Sequence, residues 1–276
     1  MKTSIVVTLS ALLLAHAICV SAESVFVSQL TSEGARSNNG PNAFEKKWPF
    51  GDNEVTSMGL RQHYLVGYDL KTNYAKNLGL EEIYSPWQVA IRSTNHNVTL
   101  MGAQSELEAI FPPNVRPDLR DVQAKLAIPP GDVELIAEDI KALQNKIMPK
   151  NFQTLPIHSM DFDKDTVLMG TWCSKIHDIN AKAIQDEKWV AEIENTYKDA
   201  LAAFRNFVKK DNLSVHQIYS YMDSVYASKF NLDDIGALST VYDDLMKFRF
   251  AYLEKFWSSI ESRRIFSTGF TLDLER

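Results

Sequence analysis

Apolar residues are distributed along the chain in two ways. Near the start they form short runs: Val25, Val27 and Leu30 around Phe26, then Val89 to Ile91, then Leu155, Pro156 and Ile157. Short apolar runs bounded by turn residues read as buried strands. Between them the spacing is helical. Leu60, Tyr64, Gly67 and Leu70 fall near one helical face, with Thr56 or Ser57 as N-cap. Leu100, Met101, Ala103, Leu107, Ile110 and Phe111 share a second face, with Gln104, Glu106 and Glu108 pointing elsewhere, and Pro112 ends that helix. Val133 to Ile147 suits a short surface helix after the break at Pro129-Pro130-Gly131. From Asn180 to Ile260 the pattern is helical: Val190, Ile193, Tyr197, Leu201 and Phe204 recur at helical spacing, and Leu213 to Tyr226 and Leu238 to Ile260 continue it. Ser262 to Gly269 reads as a strand returning to the sheet. The expectation is an α/β chain: a core over 23–179, an α-helical cap over 180–260, and a return strand in 261–276.

The first 22 residues read differently. Lys2 precedes an apolar stretch from Ile5 to Val20, and Val20-Ser21-Ala22 is a small-residue cleavage pattern. This is the form of a secretory signal peptide, so the expected location is the secretory pathway, either secreted or in a lysosomal or vacuolar lumen. No later run is long and uncharged enough to span a bilayer. The formal charge is -6, and removal of Lys2 makes it -7, which argues against a nucleic-acid partner. Of two cysteines, Cys19 lies in the leader, and Cys173 is left without an intramolecular partner. Asn97-Val98-Thr99 and Asn212-Leu213-Ser214 are acceptor patterns for N-glycans.

Candidate chemistry gathers at two turns. Arg92 stands where an apolar run ends and a helix begins, at the carboxyl end of an expected strand. In open α/β sheets those ends form the ligand crevice, and a guanidinium there clamps oxyanions. Thr31 to Asn38 carries Gly34 and Arg36, so a strand runs into a turn where backbone can approach a ligand closely. Asp161 to Asp165 is acidic but lacks the Gly and terminal Glu of an EF-hand, and reads as a solvated turn. No metal-ligand cluster stands out and no cofactor is implied.

Arg92-Ser93-Thr94, Asn97-x-Thr99-Leu100-Met101-x-Ala103-Gln104 and Phe111-Pro112-Pro113 together resemble the histidine acid phosphatase family. The helix with Gly59, Gln62 and Gly67 is a second match. The resemblance implies a phosphoglycerate-mutase-like α/β core with a helical cap. It also implies Arg36 and Arg92 as ligands for phosphate or a small phosphorylated anion. In the family a histidine attacks phosphorus, two arginines of the same turn hold the oxygens, and a later His-Asp pair supplies a further ligand and the proton donor. Here Ser32 stands at the first arginine position and Glu33 at the nucleophile position. No His-Asp pair follows the helical region, and the one such pair, His177-Asp178, precedes it.

A carboxylate in place of the nucleophile repels a phosphate. Two unit charges ~4 Å apart cost about 4 kcal/mol at an effective dielectric near 20. The expectation is therefore an inactive phosphatase-like protein with a residual anion pocket, in which Glu33 pairs with Arg36 or Arg92. An active phosphomonoesterase and a non-catalytic secreted binding protein are the alternatives.

Overall fold

The computed structural model describes residues 26–129, 133–169 and 173–274. The leader, the Pro130-Gly131 break, Trp172 and Arg276 lie outside them. Ten α-helices occur among the described residues: α1 Ser57–Leu70, α2 Asn97–Ile110, α3 Asp121–Leu126, α4 Ala137–Leu143, α5 Ser174–Ile184, α6 Glu187–Thr196, α7 Lys198–Val208, α8 Val215–Phe230, α9 Tyr242–Phe256 and α10 Ile260–Leu274.

The expected sheet is not there. Among the described residues, β-pairing is confined to two isolated bridges, Arg36 with Val55 antiparallel and Arg92 with His158 parallel. The segment after Val25 forms no strand, and Phe26 and Leu30 are exposed. The Val89–Ile91 run contributes one pairing: His158 N–H donates to the Ile91 carbonyl at 3.0 Å and Ser93 N–H to the His158 carbonyl at 2.9 Å. A ladder persists when successive strands pair on both sides, and a three-residue run with one short neighbour does not extend into one.

The proposed return strand is helix α10. Its sequence holds Glu261, Arg263 and Arg264 and no β-branched run, so local i→i−4 bonding wins without a partner strand. Ser259 holds its start, accepting from Ser262 N–H at 3.4 Å, and Lys175 of α5 pairs with Glu261 at 2.6 Å.

Helices run through 180–260 as the periodicity predicts, and the main core lies there. Leu201 and Phe204 of α7, Ile218, Met222 and Val225 of α8, and Leu245 and Phe248 of α9 are fully buried in one cluster. Asp186 caps α6 by accepting from Lys188 and Trp189 N–H, and Ser214 caps α8 in a capping box with Gln217.

The second packed unit is the α1–α2 pair, and its buried faces differ from the expected ones. On α1, Gly59, His63 and Gly67 are buried, while Tyr64 is exposed. On α2 the buried set is Val98, Gly102, Glu106, Leu107 and Ala109, and Met101 is exposed. Small residues let the backbones close. A Cβ on Gly67 would stand 2.1 Å from the Glu106 carbonyl oxygen. The buried Glu106 carboxylate is held by His63 Nδ1 at 3.2 Å, Gln29 Nε2 at 2.8 Å and Thr31 Oγ1 at 3.3 Å. Side chains of the helix pair thus tether the segment that the expected sheet would have held.

Candidate functional site

The turn from Ser32 to Arg36 is fixed from beneath and from both sides. Gly34 has φ +67°, the left-handed region that a side chain disfavours. Gln62 of α1 accepts from Ala35 N–H at 2.9 Å. Ser37 N–H donates to the Glu54 carbonyl at 2.9 Å, and Thr56 N–H to the Ala35 carbonyl at 2.9 Å. From α8, the capping residue Asn231 donates to the Arg36 carbonyl at 3.1 Å.

Arg36 is the centre of the site. Its two terminal nitrogens donate to the two oxygens of Asp223 on α8, both at 2.9 Å, and its Nε donates to Glu33 Oε2 at 3.2 Å. Nη1 also donates to the Ser37 carbonyl at 2.9 Å. Burial alone would lower the Arg36 pKa; the hydrogen bond and charge of Asp223, joined by Glu33, outweigh it and raise the pKa above its ordinary value. Asp223 Oδ2 further accepts from Asn39 N–H at 2.6 Å. The planar guanidinium is thus occupied along its forked edge by one carboxylate and at Nε by another.

Above this pair is a pocket of about 260 Å³, lined by the turn from Ser32 to Arg36 and by Asp223, Tyr226, Phe230 and Arg249. The Arg249 guanidinium on α9 lies over the Tyr226 ring at 5.0 Å from its centroid. The Tyr226 and Phe230 rings, one turn apart on α8, are 5.6 Å between centroids.

The residues singled out from sequence separate in space. Ser32, Glu33 and Arg36 line the pocket. Arg92 is not among the lining residues: its Nη2 donates to Asp165 Oδ1 at 3.1 Å and contacts Met160 Sδ at 3.1 Å. Asp165 is buried rather than solvated, and the same oxygen accepts from Val167 and Leu168 N–H at 3.0 and 2.9 Å. The acidic turn was expected to face water; Arg92 and two backbone donors make its last carboxylate an internal brace instead. Asn97 begins α2, is exposed, and donates to Glu54 Oε1 at 2.9 Å. Asn212 is exposed in the turn before α8. Cys173 is a free thiol at the start of α5.

Asp223, Tyr226 and Arg249 were not anticipated. The signal for them was an ionisable residue inside an otherwise apolar periodic stretch: Asp223 follows the buried Met222, and Arg249 lies between Phe248 and Phe250. Among the described residues no cluster of His, Cys, Asp and Glu suits a metal, and no helix is long and apolar enough to cross a membrane.

The chain is similar to acid phosphatases. It is 26% identical to human prostatic acid phosphatase over 184 residues, which is 66% of this chain and 39% of that protein. It is 22% identical to the lysosomal acid phosphatase of Xenopus laevis over 187 residues, 67% of this chain and 36% of that one. A 25% share of the chain, 70 residues, is 37% identical to human lysosomal acid phosphatase. The chain thus spans about two fifths of the length of the curated relatives it matches. No family model matches it. Its relatives are prostatic and lysosomal acid phosphatases, so the resemblance to the histidine acid phosphatase family stands, at low identity and over part of the chain.

Proposed function

We propose that this is an acid-phosphatase-like protein of the secretory pathway, secreted or lysosomal, that does not turn over phosphate esters. The observation that carries this is the state of Arg36. Its guanidinium is engaged by Asp223 and Glu33. The carboxylate that replaces the nucleophile is also the group that blocks the anion. A phosphate taking Arg36 must displace two carboxylates, and Arg92 must likewise leave Asp165. Residual phosphate binding on Arg36 and Arg92 is therefore weak. The names of the relatives support the compartment, and exposed Asn212 is the better placed of the two glycan acceptors.

A direct test is incubation of the purified protein with a chromogenic phosphate monoester near pH 5. No turnover above buffer is expected. Turnover that disappears in a Glu33→Gln variant would overturn the reading, because a carboxylate would then be attacking phosphorus. Turnover that survives that change, together with Arg36→Ala, would identify a contaminating activity.

A further inference from the structure

The pocket's charges do not match a phosphate. Resting on the reading of this site as non-catalytic, we propose that it takes a small aromatic zwitterion: an amino-acid-sized molecule carrying a carboxylate and an ammonium beside one ring.

Size sets the first bound. A volume of about 260 Å³ lies below the ~300–1,000 Å³ of pockets that enclose drug-sized ligands, so the occupant is small. Charge sets the second. Arg36 and Asp223 are committed to each other through paired hydrogen bonds. Beyond that pair stand Arg249 and the second oxygen of Glu33, whose Oε2 already accepts from Arg36 Nε. Arg249 is half-buried and makes no ion pair with a carboxylate among the described residues; its guanidinium lies over the rings of Tyr226 and Phe250. Glu33 offers Oε1, since its bond to Arg36 uses Oε2, and its side chain is 40% exposed.

A dianionic phosphate meets Glu33 as well as Arg249. A simple amine meets Arg249 as well as Glu33. A zwitterion satisfies both, with its carboxylate on the guanidinium and its ammonium on Oε1. The third element is aromatic. Tyr226 and Phe230 are each 37% exposed, and Arg249 already covers one face of Tyr226. The ligand ring is left with Phe230 and the edge of Tyr226, a geometry that aromatic pairs favour.

The test is calorimetric titration of the purified full chain with L-phenylalanine, phenethylamine, 3-phenylpropionate and inorganic phosphate. L-Phenylalanine is expected to bind at least tenfold more tightly than either single-charge analogue. Arg249→Ala should reduce its affinity to that of phenethylamine, and Glu33→Gln to that of 3-phenylpropionate. Equal affinity for the three aromatic compounds, a preference for phosphate, or no binding of L-phenylalanine each overturns the inference. The ligand series on the unaltered protein decides even where a variant fails to fold. If L-phenylalanine does not bind and no ester is turned over, only the ligand assignment fails. Turnover lost in Glu33→Gln removes the non-catalytic reading beneath it.

Discussion

His63 is one of the residues that support the turn from Ser32 to Arg36. It is buried between α1 and α2, with Nδ1 on Glu106 Oε2 at 3.2 Å. A Cβ on Gly34 would lie 3.2 Å from its ring, so the imidazole supports the turn that bears Glu33 and Arg36. The bond to Glu106 raises its pKa; burial acts the other way, and the backbone of Glu33 and Ser32 adds to the rise. A histidine whose folded pKa is raised stabilises the fold fully below its unfolded value, near 6.5. That contribution is lost as pH climbs through the raised folded value. The urea midpoint should therefore fall as pH rises through neutrality, and His63→Asn should flatten that slope. An equal slope in both proteins would place the titration elsewhere. This residue was legible only as a helical histidine. Its partner, Glu106, reads as a surface charge until Gln29, Thr31 and His63 are brought around it.

At the scale of elements, close approach and core filling set the costs. Gly67 touches the α2 backbone, and backbone cannot rotate away from a new methyl group. Gly67→Ala should destabilise the protein by about 1–3 kcal/mol through overpacking, read by chemical denaturation. Phe204 of α7 is fully buried, so Phe204→Ala should cost about 3–5 kcal/mol. Phe250, 61% exposed on α9, should change stability by no more than about 0.5 kcal/mol when replaced by alanine. The helices of 180–260 were legible because Val190, Ile193, Leu201 and Phe204 repeat with the period of the helix itself. The strand at Ser262 to Gly269 was misread. Its residues, without a β-branched run, take the local helical solution because no partner strand lies beside them among the described residues.

Across the whole molecule, burial is uneven. Among the described residues, the apolar core cluster draws its buried members from Ile193 to Tyr252. The stretch from Lys71 to His96 has one π-helical turn, Lys71–Ala75, and leaves Trp87 94% exposed. Native-state hydrogen exchange should therefore find the slowest amides in α7, α8 and α9 and fast exchange from Leu78 to Ala90. Uniform protection across both would refute this division.

The helical stretch, the cap at Thr56 and the grouping of Glu33, Gly34 and Arg36 could be read from the chain alone. Each is a matter of residues within a few positions of one another, and a helix closes its hydrogen bonds over that same distance. Tertiary structure alone decided the rest. Whether Val89–Ile91 finds strands to pair with, whether Arg92 faces a ligand or Asp165, and which carboxylate takes Arg36 all depend on groups far along the chain. Asp223 is 187 positions from the arginine it occupies. No local pattern encodes that meeting, because packing of helix against loop creates it.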